Sequence, residues 1–241
     1  MNILAIDTAT EACSVALIVD NTVFSHFEVC PQQHSQRLLP MIDSILKEAE
    51  VELSSLDMLA FGRGPGSFTG VRIATGMIQG LALGTGLKVA GVSTLKAMAV
   101  EVAKHADEKV EERLIAVASD ARMGEVYFSV YKQMGTTVEE VISERVCPPK
   151  QAIEQLEIAI QSTNSEILIA GTGWSAYDDL HAWAESSRSV KANADVTLPN
   201  AKYMLDDAKA AADKNLTAHA SDVEPVYLRD KVTWKKLPGR E

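Results

Sequence analysis

Three apolar runs open the chain, NILAID, CSVALIVD and TVFSHFEV, rich in β-branched residues and separated only by short polar turns. This pattern predicts an antiparallel meander of three strands. The period then lengthens. Leu38, Ile42, Ile45, Leu46 and Ala49 fall on one helical stripe, so a helix is expected from Ser35, as its cap, to about Glu50, with Pro40 disturbing the first turn. DMLAFG reads as a buried strand. It runs into the glycine-rich stretch GRGPGSFTGVRIATG, residues 62–76. There Gly64, Pro65 and Gly66 shape a tight turn, and Ser67 or Thr69 caps a helix from about Thr69 to Gly84. The strand LKVAGV and a helix starting near Ser93 complete the order βββαβαβα.

The charged stretch KHADEKVEER, 104–113, marks a shift in composition and the expected lobe boundary. Beyond it the pattern repeats. RLIAVASDARMGEVYFSVYKQ carries the same strand, acid and strand arrangement, with Asp120 echoing Asp7. A third strand near TTVEEVISERV, a helix from about Pro149, the strand EILIAG, a GTG turn into a helix at Trp174 and a last long helix from Pro199 to about Lys214 follow. A duplicated βββαβαβα unit predicts an α/β protein of the actin-like ATPase, ribonuclease-H-like architecture. The expected lobes are 1–106 and 107–220. Residues 221–241, with the basic tail around Trp234, form a partly extended C-terminal segment.

Composition narrows the function. At 241 residues and 46% hydrophobic content the chain can bury a sizeable core, and its formal charge of −10 argues against gripping nucleic acid by itself. Any RNA contact would need a partner. Cys13, Cys30 and Cys147 are odd in number and lack a CxxC, so neither a disulfide framework nor a zinc site is encoded, and a reducing cytoplasm fits. The opening MNILAIDTAT has no basic n-region, so no cleaved signal is expected, and the longest uncharged stretch, Ile73 to Leu87, is too short and glycine-broken to span a membrane. His26, His34, His105, His181 and His219 form no HxxxH or HExxH, and no GxSxG elbow occurs, so hydrolytic chemistry is unsupported.

Two sets of residues carry candidate chemistry. In two-lobed kinases and ATPases, hairpin carboxylates hold Mg²⁺ near the transferred phosphate. Asp7, Thr8 and Thr10 on one turn and Asp120, Arg122 and Glu125 on the other have the residue types for this, although Asp and Thr are equally ordinary turn residues. The glycine loop is not a P-loop, since no lysine lies between Asp57 and Leu87. Helix entrance and weak nucleotide contact, through Asp7, Thr8, Gly64, Gly66 and Asp120, both remain readings of it. The second set lies on the helix that follows. Val71, Ala74, Ile78, Leu81 and Ala82 fill one face, while Ile73, Gly76, Met77, Gly80, Leu83 and Gly84 fill the other, and Arg72 is its only charge. Its own sheet covers one side. Either the glycines at every fourth position seat the helix on that sheet, or they receive a partner's helix on the far side.

LAIDTAT, HSQRLLP, FGRGPGSFTGVRIATG, SDARMGEVY and EPVYLR, in this order along most of the chain, resemble the TsaB family. The resemblance implies the actin-like two-lobed fold and pairing, through first-lobe helices, with a catalytic paralogue, TsaD. That enzyme transfers threonylcarbamoyl from its adenylate to the adenosine beside the anticodon of tRNAs reading ANN codons. A small P-loop ATPase, TsaE, completes the complex. The partner surface is expected at Leu38, Leu39, Ile42 and Ile45 with Arg72, Ile73, Gly76, Met77, Gly80 and Leu83. TsaD carries an HxxxH metal motif, but here His34 is followed four positions on by Leu38, so neither a metal nor a catalytic residue is expected in this chain. ATP or ADP would sit, if anywhere, at the joint with the partner, tRNA would be met only through the complex, and the chain alone would pair with itself. The rival reading is an actin-fold ATPase or phosphotransferase using Asp7 and Asp120 around Mg²⁺. A ribonuclease-H-like nuclease ranks below both, since it needs several clustered carboxylates.

Overall fold

The opening runs form β1 (Ile3–Asp7), β2 (Ala12–Val19) and β3 (Thr22–Val29), with Val19 paired to Thr22 across a tight turn whose Asp20 and Asn21 have φ of 48° and 66°. Such left-handed pairs match the twist of a two-residue hairpin. The computed structural model describes residues 1–106, 112–163, 165–193 and 195–229. After the meander come α1 (His34–Glu48), β4 (Met58–Gly64), α2 (Phe68–Thr85), β5 (Val89–Ser93) and α3 (Thr94–His105). β1, β4 and β5 are parallel, and the first sheet runs β3-β2-β1-β4-β5.

The second half repeats the plan. β6 (Arg113–Asp120), β7 (Val126–Met134), β8 (Thr137–Cys147), β9 (Glu166–Ala170) and β10 (Val190–Asn193) form a sheet ordered β10-β9-β6-β7-β8, the same order as the first with its strands renumbered. Around it stand α4 (Pro149–Thr163), α5 (Gly173–Ala176) and α6 (Asp178–Ser186), and a 3₁₀ turn, Ala201–Met204, leads into α7 (Leu205–Asp213). Two ribonuclease-H-like sheets in tandem make this the actin-like architecture expected from the duplicated pattern. Among the described residues no helix is long and apolar enough to cross a membrane.

Several boundaries differ from the sequence reading. Ser35 does not cap α1, which begins at His34 behind Gln33 with no side-chain cap. Ser67 and Ser93 do cap, accepting from the amides of Gly70 at 3.0 Å and Lys96 at 3.1 Å. The helix expected at Trp174 is broken by an extended Tyr177, and β10 has no counterpart in the reading. The centre of the 104–113 boundary and the tail around Trp234 lie outside the described residues.

Both faces of the first sheet are covered, by elements from opposite ends of the chain. Leu4, Ile6, Val15 and Leu17 meet Leu38, Ile42 and Ile45 of α1 and Ala74 and Ile78 of α2. On the reverse face the small side chains of Ala5, Ala16, Ala60 and Ala90 admit Ala201, Met204, Leu205 and Ala208 at close range. Residues 201–208 therefore pack on the first sheet, although the order of elements assigns them to the second lobe. α3 makes the reciprocal move, lodging Leu95, Met98 and Val102 against Ile115, Val117 and Tyr131. The lobes are interleaved. Salt links between Lys96 and Asp207 and between Lys104 and Asp206 tie the exchanged helices to each other.

Candidate partner surface and inter-lobe cleft

The glycines of the 62–84 stretch fall into two groups. A Cβ on Gly62 would strike Asp7 Oδ2, one on Gly66 the carbonyl oxygen of Ala9, and one on Gly70 the carbonyl oxygen of Thr8. The first glycines therefore let the loop and the start of α2 press against the β1–β2 turn. Hydrogen bonds finish that seam: Thr8 Oγ1 donates to the Gly70 carbonyl at 2.7 Å, and the Ser67 amide to the Ala9 carbonyl at 2.8 Å. Gly76, Gly80 and Gly84 behave oppositely. A Cβ on any of them meets nothing within 4 Å, so these glycines do not seat the helix on its own sheet.

α2 thus has one face in the core, through Val71, Ala74, Ile78 and Ala82, and one that no described residue covers. Leu83 is 81% exposed, Arg72, Gly76, Gly80 and Gly84 are exposed, and Ile73 and Met77 are half-buried at the margin. The α1 part of the expected surface needs correction. Leu38, Ile42 and Ile45 are sealed in the first-lobe core, because the amphipathic stripe of α1 faces its own sheet, and only Leu39 of that set is exposed. What the sequence reading missed is the segment beside α2. Residues 223–229 lie along it: Gln79 Nε2 donates to the Val223 carbonyl at 2.9 Å, the Val226 amide donates to the Arg63 carbonyl at 2.8 Å, and Arg72 Nε donates to Tyr227 Oη at 2.9 Å. EPVYLR was visible as a motif, but nothing local gives its long-range contacts.

A cleft of about 750 Å³ opens between the lobes, lined among others by Thr10, Gly66, Ser67, Asp120, Arg122 and Arg229. Of the five residues read as a nucleotide contact, Gly66 and Asp120 reach it and the other three do not. Asp7 is fully buried, with Oδ1 accepting from the Ala9 amide at 3.1 Å and Oδ2 pressed over Gly62 without a partner among the described residues. Burial pushes its pKa up to about 7, against a smaller downward pull from that amide. Thr8 is buried in the seam to Gly70, and Gly64, at φ 101°, packs against Val226 and Val71 instead. Asp120 accepts from Tyr177 Oη at 2.7 Å and from the Arg122 amide at 2.8 Å, and pairs with the Arg122 guanidinium at 2.9 Å. The two acids repeat in sequence, yet one is sealed and the other is neutralised. Thr10 bonds the Ala12 amide at 3.3 Å as a turn residue does, and Glu125 pairs with Arg229. Arg122 to Glu11 at 3.1 Å and Tyr127 Oη to the Gly66 carbonyl at 3.2 Å bridge the lobes at this cleft, and Arg63 to Glu144 at 3.1 Å links them outside its lining.

Comparison with known proteins places this geometry. A family model described as TsaD, tRNA N6-adenosine threonylcarbamoyltransferase, matches residues 19–237. The tRNA threonylcarbamoyladenosine biosynthesis protein TsaB of Escherichia coli K12 is 46% identical over 244 residues, covering 100% of both chains. Its namesake in Haemophilus influenzae is 44% identical over 249 residues, covering 100% of this chain and 99% of the relative. The chain belongs to the TsaB family. The solved structure of YeaZ from Pseudomonas aeruginosa agrees, with 39% identity, a TM-score of 0.80 and coverage of 94% of this chain and 99% of that one. As a TsaB-family protein the chain takes part in tRNA threonylcarbamoyladenosine biosynthesis.

Proposed function

We propose that this TsaB-family chain is a non-catalytic scaffold that pairs with TsaD through the uncovered face of α2 and so supports threonylcarbamoylation of the adenosine beside the anticodon of tRNAs reading ANN codons. The observation that carries the reading is the open strip of Gly76, Gly80 and Gly84 flanked by Leu83 and Met77, low enough for a second helix to approach closely. Leu39 of α1 is exposed as well. TsaE joins through the complex, tRNA is met only there, and ATP or ADP belongs at the joint with the partner. Alone, two copies of the chain pair through the same strip, because partner and chain share a fold. Asp7 sealed behind Gly62, and Asp120 already held by Arg122 and Tyr177, support this reading over an Mg²⁺-dependent phosphotransferase.

Gly80→Glu tests it. The position is open, so the isolated chain folds, but pairing then buries an unpartnered carboxylate, which costs on the order of 3–5 kcal/mol. Loss of co-purification with TsaD and of tRNA modification is expected. A variant that still pairs and still supports modification places the interface elsewhere. Calorimetry of the chain with ATP and Mg²⁺ separates the rival, which requires micromolar binding and turnover by the chain alone.

A further inference from the structure

We propose that Arg72, held beside the paired rings of Phe68 and Tyr227, is the specificity-determining contact of the α2 face, that it receives a carboxylate side chain from the partner's docking helix, and that the 223–229 strap is consequently a working part of the interface. The inference rests on the docking reading above and gives it a chemistry. The guanidinium carbon stands 5.7 Å from the Phe68 ring centre and 5.5 Å from that of Tyr227, and the two rings lie 5.2 Å apart at 30°. Its Nε is held by Tyr227 Oη. A guanidinium held by Tyr227 Oη beside the ring pair has already lost part of its rotamer freedom, so a carboxylate that meets it pays less further ordering cost.

Arg72, like Arg145 and Arg188, has no carboxylate partner among the described residues, but it alone of the three stands on the α2 face. Arg37, Arg63, Arg113, Arg122 and Arg229 are each paired with a carboxylate of this chain. Among the described residues none pairs with Arg72, in a chain of 33 acidic and 23 basic residues. Glu224 lines the same groove beside α2 without pairing with it. An exposed, oriented and unneutralised arginine on an apolar face has the composition of an interface hot spot.

The strap fixes Tyr227 from both sides. Upstream, Val223 is buried in the first-lobe core and its carbonyl accepts from Gln79. Downstream, Arg229 donates to the Ala121 carbonyl at 2.9 Å and pairs with Glu125 in the second lobe. Tyr227 is thus a positioning residue: it acts on the partner through Arg72.

The test is calorimetric affinity of the full chain for purified TsaD, with self-association followed by sedimentation. Arg72→Glu is expected to weaken TsaD binding by about 100-fold or more, and Arg72→Lys and Tyr227→Leu by about 10-fold each. The Lys/Leu double variant should fall no further than the weaker single, since both remove the same Arg72–Tyr227 contact. Changing one acidic residue of TsaD's docking helices to lysine should restore the Arg72→Glu chain. If Arg72→Glu and Tyr227→Leu bind like wild type while Gly80→Glu does not, the carboxylate contact is overturned and the docking face stands. If Gly80→Glu also binds normally, the docking reading itself has failed. A loss for Arg72→Glu that no acidic-to-lysine change in TsaD restores overturns the carboxylate assignment, and a loss confined to self-association makes a second copy the occupant.

Discussion

Replacing Asp7 by Asn should stabilise the protein in a way that grows with pH. The carboxyl group is fully buried, with Oδ2 unpartnered above Gly62, and its pKa is pushed from 3.8 to about 7. A raised carboxyl pKa favours the fold below pH 3.8, where the group is protonated folded or unfolded. That advantage drains away between pH 3.8 and about 7, as the unfolded chain ionises freely and the folded one does not. Three pH units of difference correspond to about 4 kcal/mol above neutrality, an upper limit because relaxation around a buried charge lowers it. Asn has the same shape, can accept from the Ala9 amide through its oxygen and cannot ionise. Thermal melts of wild type and Asp7→Asn from pH 4 to 8.5 should coincide at the acid end and separate by about 5–10 °C at the alkaline end. Modification of tRNA in the presence of TsaD should survive the change. A wild type more stable than the variant at pH 8, or a gap that ignores pH, refutes the argument, for it means that the carboxylate is ionised and paired.

Other substitutions probe the seam, the strip and the interleaving. Gly70→Ala drives a Cβ into the Thr8 carbonyl and should cost about 3 kcal/mol or more in urea unfolding, whereas Gly76→Ala, in open space, should gain up to about 1 kcal/mol in the isolated chain. The same Gly76→Ala should weaken pairing with TsaD, which pull-down titration would register, so stability and association move in opposite directions. Met204→Ala should cost about 2–5 kcal/mol by leaving a hole against the alanine-rich face of the first sheet, and calorimetry should still show a single transition because α3 couples the lobes.

The duplicated sheets, β10 apart, were legible because most strands are compact apolar runs bounded by turns carrying Asp, Asn or Gly, and Ser67 was one of the two local caps offered for α2. What covered each face was not. Leu38, Ile42 and Ile45 announce a buried stripe on α1 without saying whether a sheet or a partner buries it, and their own sheet does. Leu95 and Met98 likewise reveal an apolar α3 but not that it crosses to the other lobe. Glycine spacing was equally ambiguous along 62–84, since backbone approach at Gly66 and free space at Gly80 look alike in one dimension. The Asp7 and Asp120 echo was correctly seen as a repeat, while the surroundings that separate the two depend on Gly62, Arg122 and Tyr177, all distant from at least one of the pair in sequence or in environment.

The exchange of α3 and the 201–208 segment sets the timing of biogenesis. A nascent chain finishes β5 at Ser93, yet the cover for Ala5, Ala60 and Ala90 emerges only more than a hundred residues later. At ordinary elongation rates that leaves an apolar sheet bare for about 5–25 s, a window for ribosome-associated chaperones. A chain cut short before Ala201 therefore leaves the alanine-rich face of the first sheet without its cover.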